Sequence, residues 1–439
     1  MFPADEQPFL DAIVDRPADD EPRLVYADYL DETGNAPDSA RAELIRVQVA
    51  LERLLEDDPR HAELADRQNE LLEAYRPVWT APLSNLGARF QFRRGLPDSV
   101  TLDAAAFLTR GEELFDNTQV RNGRSFVRRI RLEEPARVLA LLVQASILNQ
   151  IVELDLSECD LGNAGASALA GSPHLSGLKS LSLGHNRLGD AGAFALARAT
   201  ALAHLEILEL NDNGLIGHEG VASLAGSPVL AGLIELDLTG NEVNELAIRS
   251  LVRGPAMRNL KRLRLGTNPL REGIVELVQS ELFGRMIAGD SRLDLHRCGI
   301  ELAGVEALAS SATLGSVTGL NLNENYLGDA GVRALCRSGR LENVRTLRLA
   351  RNQIADAGAI ALVAASLPRL KRLELANNRL TRRGVDALKA AAAARGFAVE
   401  AANNGTEPTA ALPTSPARTE AIEFAELKRR IAHPARPRS

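Results

Sequence analysis

Leu178-Lys-Ser-Leu181-Ser-Leu183-Gly-His-Asn186-Arg-Leu188 is the clearest copy of a pattern that recurs nine times between residues 151 and 396. The pattern is L-x-x-L-x-L-x-x-(N/C)-x-(L/I/V), and its copies begin at Ile151, Leu178, Leu205, Leu233, Leu260, Asp290, Val317, Val344 and Leu370. Successive starts are 27, 27, 28, 27, 30, 27, 27 and 26 residues apart. A fixed period of this size means stacked supersecondary units, each burying its apolar face against its neighbours. Within a copy, L-x-L alternates apolar and polar residues and predicts a short strand with one buried face.

A helix follows each strand, written G-D-A-G-x-x-A-L-A in the clearest copies. Asp190, Asp329 and Asp356 stand where an N-cap of that helix is expected. Gly165, Gly192, Gly220, Gly273, Gly304, Gly331, Gly358 and Gly384 recur at one phase, as if helix and strand approach closely there. The ninth position of the pattern runs Cys159, Asn186, Asn213, Asn241, Asn268, Cys298, Asn325, Asn352, Asn378. An amide at a strand-to-loop bend can bond backbone groups of its own turn and of the next, and Cys can replace it as a small, buried, weak donor.

These residues resemble a leucine-rich repeat array of the ribonuclease-inhibitor-like subtype. The resemblance implies an α/β solenoid, a horseshoe with parallel strands inside and helices outside. The sixth copy departs from the pattern, with Asp290 in place of the first Leu and about three extra residues before it, in Ser280–Gly289. A local bulge, not a break, is expected there.

The rest of the chain is organised around this array. Residues 1–80 read as an all-α domain. Its helices run over Pro8–Asp15, from Asp19-Asp20 and Pro22 to a stop at Gly34, from near Asp38 onward, and from about Pro59 to Ala74. The second carries Leu24, Val25, Tyr26 and Leu30 as its apolar face; the third carries Leu44, Ile45, Val47, Leu51, Leu54 and Leu55. Asp20-Glu-Pro-Arg-Leu-Val-Tyr-Ala-Asp-Tyr-Leu-Asp-Glu-Thr-Gly34, followed by Ala40-Arg-Ala-Glu-Leu-Ile-Arg-Val-Gln48, is similar to the bacterial repeat-companion domain that precedes leucine-rich repeats. That resemblance implies an architecture and a bacterial origin but no activity. Residues 81–150 read as degenerate N-terminal capping repeats: Phe90, Phe92, Val100 and Leu102 alternate, and Val127-Arg-Arg-Ile130-Arg-Leu132 keeps the spacing without an Asn. Trp79 is placed to anchor the helices against this cap. Residues 151–404 form the nine-repeat solenoid with a closing strand near Phe397-Ala-Val399. Residues 405–439 read as a linker followed by an amphipathic segment with Phe424, Leu427 and Ile431 on one face.

Composition bounds the function. The chain has 439 residues, a formal charge of -7 and 4% aromatic residues, a poor match to a nucleic-acid or single-strand stacking surface. Arg89, Arg93, Arg94, Arg121, Arg124, Arg128, Arg129 and Arg131 form a basic run, read as a cap surface paired with acids such as Glu112, Glu113, Glu133 and Glu134. Asp28, Asp31 and Glu32 are read as a solvated helix face near Arg23 and Arg41, not a metal site. Cys159, Cys298 and Cys336 are read as core thiols. No signal peptide, membrane span, cofactor or metal site is expected, and the cytoplasm and a monomeric state are.

Chemistry is sought on the strand face, where alternate residues leave the core. Its candidate partner-binding residues are Glu153, Asp155, Glu209, Glu235, Asp237, Arg262, Arg264, Arg292, Asp294, Asn321 and Arg348. They read as an acidic N-terminal half and a basic C-terminal half. No G-x-S-x-G, P-loop or H-E-x-x-H motif is present. His296 lies near Asp294, with no nucleophile expected to complete a triad. The expectation is a non-catalytic scaffold that binds a protein on its concave face. The alternative, implied by the family resemblance, is a GTPase-activating protein or an enzyme or toxin inhibitor.

Overall fold

The computed structural model describes residues 5–54, 58–118 and 125–404. Leu55, Arg121, Arg124 and the whole 405–439 segment lie outside the described residues. The fold is of the leucine-rich repeat α/β type, entered through four helices: α1 (Gln7–Asp15), α2 (Glu21–Glu32), α3 (Ala36–Arg53) and α4 (Pro59–Trp79). An antiparallel hairpin follows, β1 (Arg89–Arg93) and β2 (Leu96–Asp103), then α5 (Ala104–Thr118), β3 (Arg129–Glu133) and the short α6 (Leu139–Leu142). β3 lies parallel to β2, and this pair starts the parallel ladder.

Each of the nine copies then yields one three-residue strand: β4 (Glu153–Asp155), β5 (Ser180–Ser182), β6 (Ile207–Glu209), β7 (Glu235–Asp237), β8 (Arg262–Arg264), β9 (Arg292–Asp294), β10 (Gly319–Asn321), β11 (Thr346–Arg348) and β12 (Arg372–Glu374). β13 (Ala398–Glu400) closes the array. The helices between them are α7 (Gly162–Ala170), α8 (Asp190–Ala197), α9 (His218–Gly226), α10 (Glu245–Arg253), α11 (Gly273–Val278), α12 (Glu281–Gly289), α13 (Leu302–Ser310), α14 (Gly328–Arg337), α15 (Asp356–Ala364) and α16 (Arg382–Arg395). The central Leu of every repeat strand, from Leu154 to Leu373, is buried. One apolar core runs from Leu10 in α1 to Leu388 in α16, so the N-terminal helices share their packing with the array.

The N-terminal elements differ in detail from the sequence reading. α3 begins at Ala36, because the Asn35 side chain accepts the Asp38 amide and caps it. α4 continues to Trp79, five residues past Ala74, and its ring explains why. Trp79 is buried, donates from Nε1 to the Pro37 carbonyl at 3.0 Å, and lies 5.6 Å from Phe92 of the hairpin. Buried Gln48 adds a polar pin: it accepts the Gly95 amide at 2.7 Å and donates to the Phe92 carbonyl at 3.0 Å. On α2, Tyr26, Ala27 and Leu30 are buried, Leu24 is half-buried and Val25 is exposed, because α3 and the cap cover a narrower stripe than expected.

The Asn column stitches each repeat to the one before it, rather than to the next. Asn186 Nδ2 donates to the Leu156 carbonyl at 2.7 Å, and its Oδ1 accepts the Cys159 and Leu161 amides. Asn213, Asn268, Asn325, Asn352 and Asn378 repeat the backward donation, to Leu183, Leu238, Leu295, Leu322 and Leu349. Asn404, beyond the column read from the sequence, repeats it onto Leu375. Cys298 keeps a weak donation to the Leu265 carbonyl but cannot accept. Burial pushes its thiol up to about 12, and those of Cys159 and Cys336 up to about 11, so none is a ready nucleophile.

The aspartates cap helices, but not their own. Asp190 sits inside α8, and its Oδ1 accepts the Gly217 and Gly220 amides of the next repeat's helix start at 2.7 and 2.9 Å. Asp329 caps α15 in the same way, through Ala355 and Gly358, and Asp356 accepts the Thr381 amide before α16. Asn163 plays this part for α8. At Gly192, Gly220, Gly358 and Gly384 the glycine phase follows from this arrangement, while Gly165, Gly273, Gly304 and Gly331 meet chiefly side chains or backbone at the start of their own helix or the preceding one. A Cβ on Gly220 would stand 2.6 Å from Asp190 Oδ1, and one on Gly192 2.8 Å from Asn163 Oδ1.

The sixth copy interrupts the sheet, against the expectation of a bulge. β1 to β8 form one ladder and β9 to β13 another. The extra residues are helical, as α12. Elsewhere a strand's first amide bonds the carbonyl that precedes the neighbouring strand, as Arg262 does with Ile234. Here the Asp290 carboxylate takes the Arg292 amide instead, and Gly289 packs against the Lys261 carbonyl. The core runs through the gap unbroken, with Leu265 and Leu295 both buried.

Candidate protein-binding face

Strand pairing sets the outward residues in two rows. The first runs Arg129, Glu153, Ser180, Ile207, Glu235, Arg262, and after the gap Arg292, Gly319, Thr346, Arg372, Ala398. The second runs Arg131, Asp155, Ser182, Glu209, Asp237, Arg264, then Asp294, Asn321, Arg348, Glu374, Glu400. All eleven candidates read from the sequence stand in these rows. Neighbours within a row are about 4.8 Å apart by strand spacing, so opposite charges meet.

They do meet. Arg262 bridges Glu235 at 2.6 Å, and Arg264 bridges Glu235 at 3.0 Å and Asp237 at 3.3 Å. The side chains of Glu235 and Asp237 keep only 8% and 12% of their exposure. Burial opposes the Arg264 charge, yet Glu235 and Asp237 hold its pKa above the usual range. Arg348 approaches Glu374 at 3.5 Å, and Arg131 approaches Asp155 at 3.6 Å. Arg292 is different: its side chain is 80% exposed and its ion-pair contact is with Asp290. Along the face, Arg stands on β3, acids on β4, β6 and β7, Ser on β5, Arg on β8, Arg292 beside Asp294 on β9, Arg348 on β11, Arg372 beside Glu374 on β12, and Glu400 on β13.

The described members of the basic run, Arg121 and Arg124 being outside them, are paired, Arg89 with an expected acid and the others with different ones. Arg89 meets Glu133, Arg93 and Arg94 meet Glu52, Arg128 and Arg129 meet Glu153, and Arg131 meets Asp155 and Glu158. Glu113 and Glu134 pair locally with Arg110 and Arg137. Asp28 and Asp31 are bridged by Arg46 at 2.7 and 2.8 Å, not by Arg23 or Arg41. Among the described residues no three His, Cys, Asp or Glu side chains converge as metal ligands, and no helix is long and apolar enough to cross a membrane.

One cluster was not legible in the sequence. His296 Nδ1 lies 2.8 Å from Asp294 Oδ1, and Nε2 lies 2.7 Å from Thr267 Oγ1. A hydroxyl does therefore stand where none was expected. It comes from the turn of the preceding repeat, where the Thr267 amide also bonds the His296 carbonyl, the same lateral pairing that joins the turns of the other repeats. Asn321 Nδ2 adds a bond to Asp294 at 3.0 Å. The four side chains span the gap in the sheet and tie three repeats together. The hydrogen bond to Asp294 raises the His296 pKa above its ordinary 6.5, with burial opposing. Burial works against the Asp294 carboxylate, but His296 and Asn321 hold it below its ordinary 3.8.

The sign follows from those directions. Stability from His296 is full below 6.5 and lost as pH rises through the raised folded value. Stability from Asp294 is full above 3.8 and lost as pH falls through the lowered one. Wild type is thus expected to exceed His296→Gln in unfolding free energy by more at pH 6 than at pH 8.5. An NMR titration of His296 should give a pKa above 6.5. An equal difference at both pH values would show that the clamp contributes nothing.

A leucine-rich repeat family model matches residues 150–170, 174–197, 201–225, 316–336 and 340–363. The unmatched span between the third and fourth segments holds the repeat that starts at Leu233, the 30-residue repeat that starts at Leu260, and α12. No curated protein matches the chain. Among solved structures it is similar to an internalin of Listeria monocytogenes, at 16% identity over 60% of this chain and 78% of that one, with a TM-score of 0.39. It is similar to a chain of the Rad7–Elc1 complex in yeast, at 14% identity over 82% and 96%, with a TM-score of 0.40. The third is a chain of the TLR13–ssRNA13 complex, at 18% identity over 58% and 40%, with a TM-score of 0.36.

Proposed function

We propose that the chain is a non-catalytic interaction module that binds a protein partner on the open strand face of its repeats. The observation that carries this reading is the pair of rows themselves. Charged and polar side chains are held in fixed lateral register by buried leucines, over strands too short to fray independently. A surface so preorganised loses little side-chain freedom on binding, and its charge bands give orientation and on-rate to a complementary partner. The same proposal takes the array as ribonuclease-inhibitor-like, supported by a helix in every repeat and the Asn/Cys column. It takes residues 1–80 as a repeat-companion domain, 81–150 as its capping repeats, and the cytoplasm as the site of a monomer.

The buried ion pairs decide how to test it. Reversing Arg264 would set a third carboxylate against Glu235 and Asp237, so lost binding could reflect damage to the fold. Arg292 stands clear of this problem. Capture from a lysate of the source organism, followed by titration of the retained protein, is expected to show at least tenfold weaker binding by Arg292→Glu. Unchanged affinity for every specific partner would sink the strand-face reading.

A further inference from the structure

The insertion in the fifth spacing shapes a cavity on the helix side of the array. Between the C-terminal end of α10 and the start of α12 lies a cavity of about 310 Å³, with Arg253, Arg258, Arg285, Ser280 and Glu281 among its walls. Three guanidiniums face one carboxylate, and that carboxylate is a weak competitor: the Glu281 side chain is 98% exposed and 3.9 Å from Arg285. Arg258 has no ion-pair partner among the described residues. Arg253 reaches Glu276 at 3.1 Å while staying 70% exposed.

Arg285 is the fixed point. Its Nη2 donates to the Met257 carbonyl at 3.1 Å, which holds the guanidinium in the wall. Its Nε is buried and has no acceptor. That Nε is closed to solvent and so to a ligand, but the Arg285 side chain keeps 34% of its exposure and lines the cavity, where its terminal N–H groups can meet an anion. The planar fork of Arg matches phosphate oxygens with paired hydrogen bonds, and three of them suit a dianion better than a carboxylate. The first turn of α12 adds a favourable dipole but does not define the site.

We propose that this cavity binds a dianionic phosphate group, held by Arg253, Arg258 and Arg285. The site lies on the helix side of the array, beside the gap between β8 and β9, and is independent of the strand-face reading. Titration calorimetry of the full chain with inorganic phosphate, and separately with glucose 6-phosphate, tests it at constant ionic strength. One saturable site is expected for at least one of the two. Arg258→Glu, an exposed position that should leave the fold intact by circular dichroism, is expected to weaken it at least tenfold, and Arg285→Gln likewise. Tighter binding of the sugar phosphate would assign the site to a phosphorylated small molecule; equal binding would assign it to free phosphate. The proposal is overturned if neither ligand saturates, if chloride competes at equal ionic strength, or if Arg258→Glu binds like wild type.

Discussion

Asn186→Ala is expected to destabilise the chain by about 3–4 kcal/mol, the largest effect of any single polar side chain considered. Asn186 is fully buried, and its amide serves four backbone groups: the Leu156 and Gly184 carbonyls, and the Cys159 and Leu161 amides. Each buried group left unpaired costs roughly 1–3 kcal/mol, with partial relief where water enters. Asn186→Cys should lose less, because Cys159 and Cys298 already show that a thiol keeps the carbonyl contact while giving up the acceptor. Urea unfolding checks the order wild type, Cys, Ala. A loss below 1 kcal/mol for the Ala variant would mean that the column does not hold the repeats together.

Gly220→Ala is expected to cost about 2 kcal/mol by overpacking. The new Cβ would stand 2.6 Å from Asp190 Oδ1, and 3.0 Å from both the Ala193 Cβ and the Asp190 Cα. Ordinary helix propensity predicts the opposite sign, since Ala exceeds Gly by about 1 kcal/mol in a helix. The two accounts are thus separated by direction, not only by size. Asp190→Ala alone should cost about 1 kcal/mol as the loss of a cap, although the helix it uncaps is α9 and not its own. Combined, the two substitutions should cost clearly less than their sum, because removing the carboxylate makes room for the methyl group. Strict additivity would contradict the capping arrangement across repeats.

The repeat strands, their buried leucines and the phase of the helices were legible because a 27-residue period exposes every rule nine times over. Direction was harder. A sequence shows that Asp190 stands at a helix start, but not that its side chain leans onto the next helix. It shows the Asn column, but not that the amides reach backward. Those facts depend on the stacking of neighbours, which single-repeat reasoning leaves out. The interruption at Asp290 was visible as a spacing of 30, yet its outcome hinged on one carboxylate intercepting the Arg292 amide. Thr267 was missed because its tie to His296 lies between the turns of two stacked repeats, a lateral pairing that a single repeat does not show. On the strand face, all eleven candidate positions face outward, but the near-complete burial of Glu235 and Asp237 beneath Arg262 and Arg264 needed the lateral register.

The most direct test of partner binding on the strand face is hydrogen exchange of the chain with and without its captured partner. The account predicts added protection in the segments around 207–212, 235–240, 262–267 and 292–297, whose side chains form the central bands of the face. Protection confined to the outer helices, with these strand segments unchanged, would contradict it.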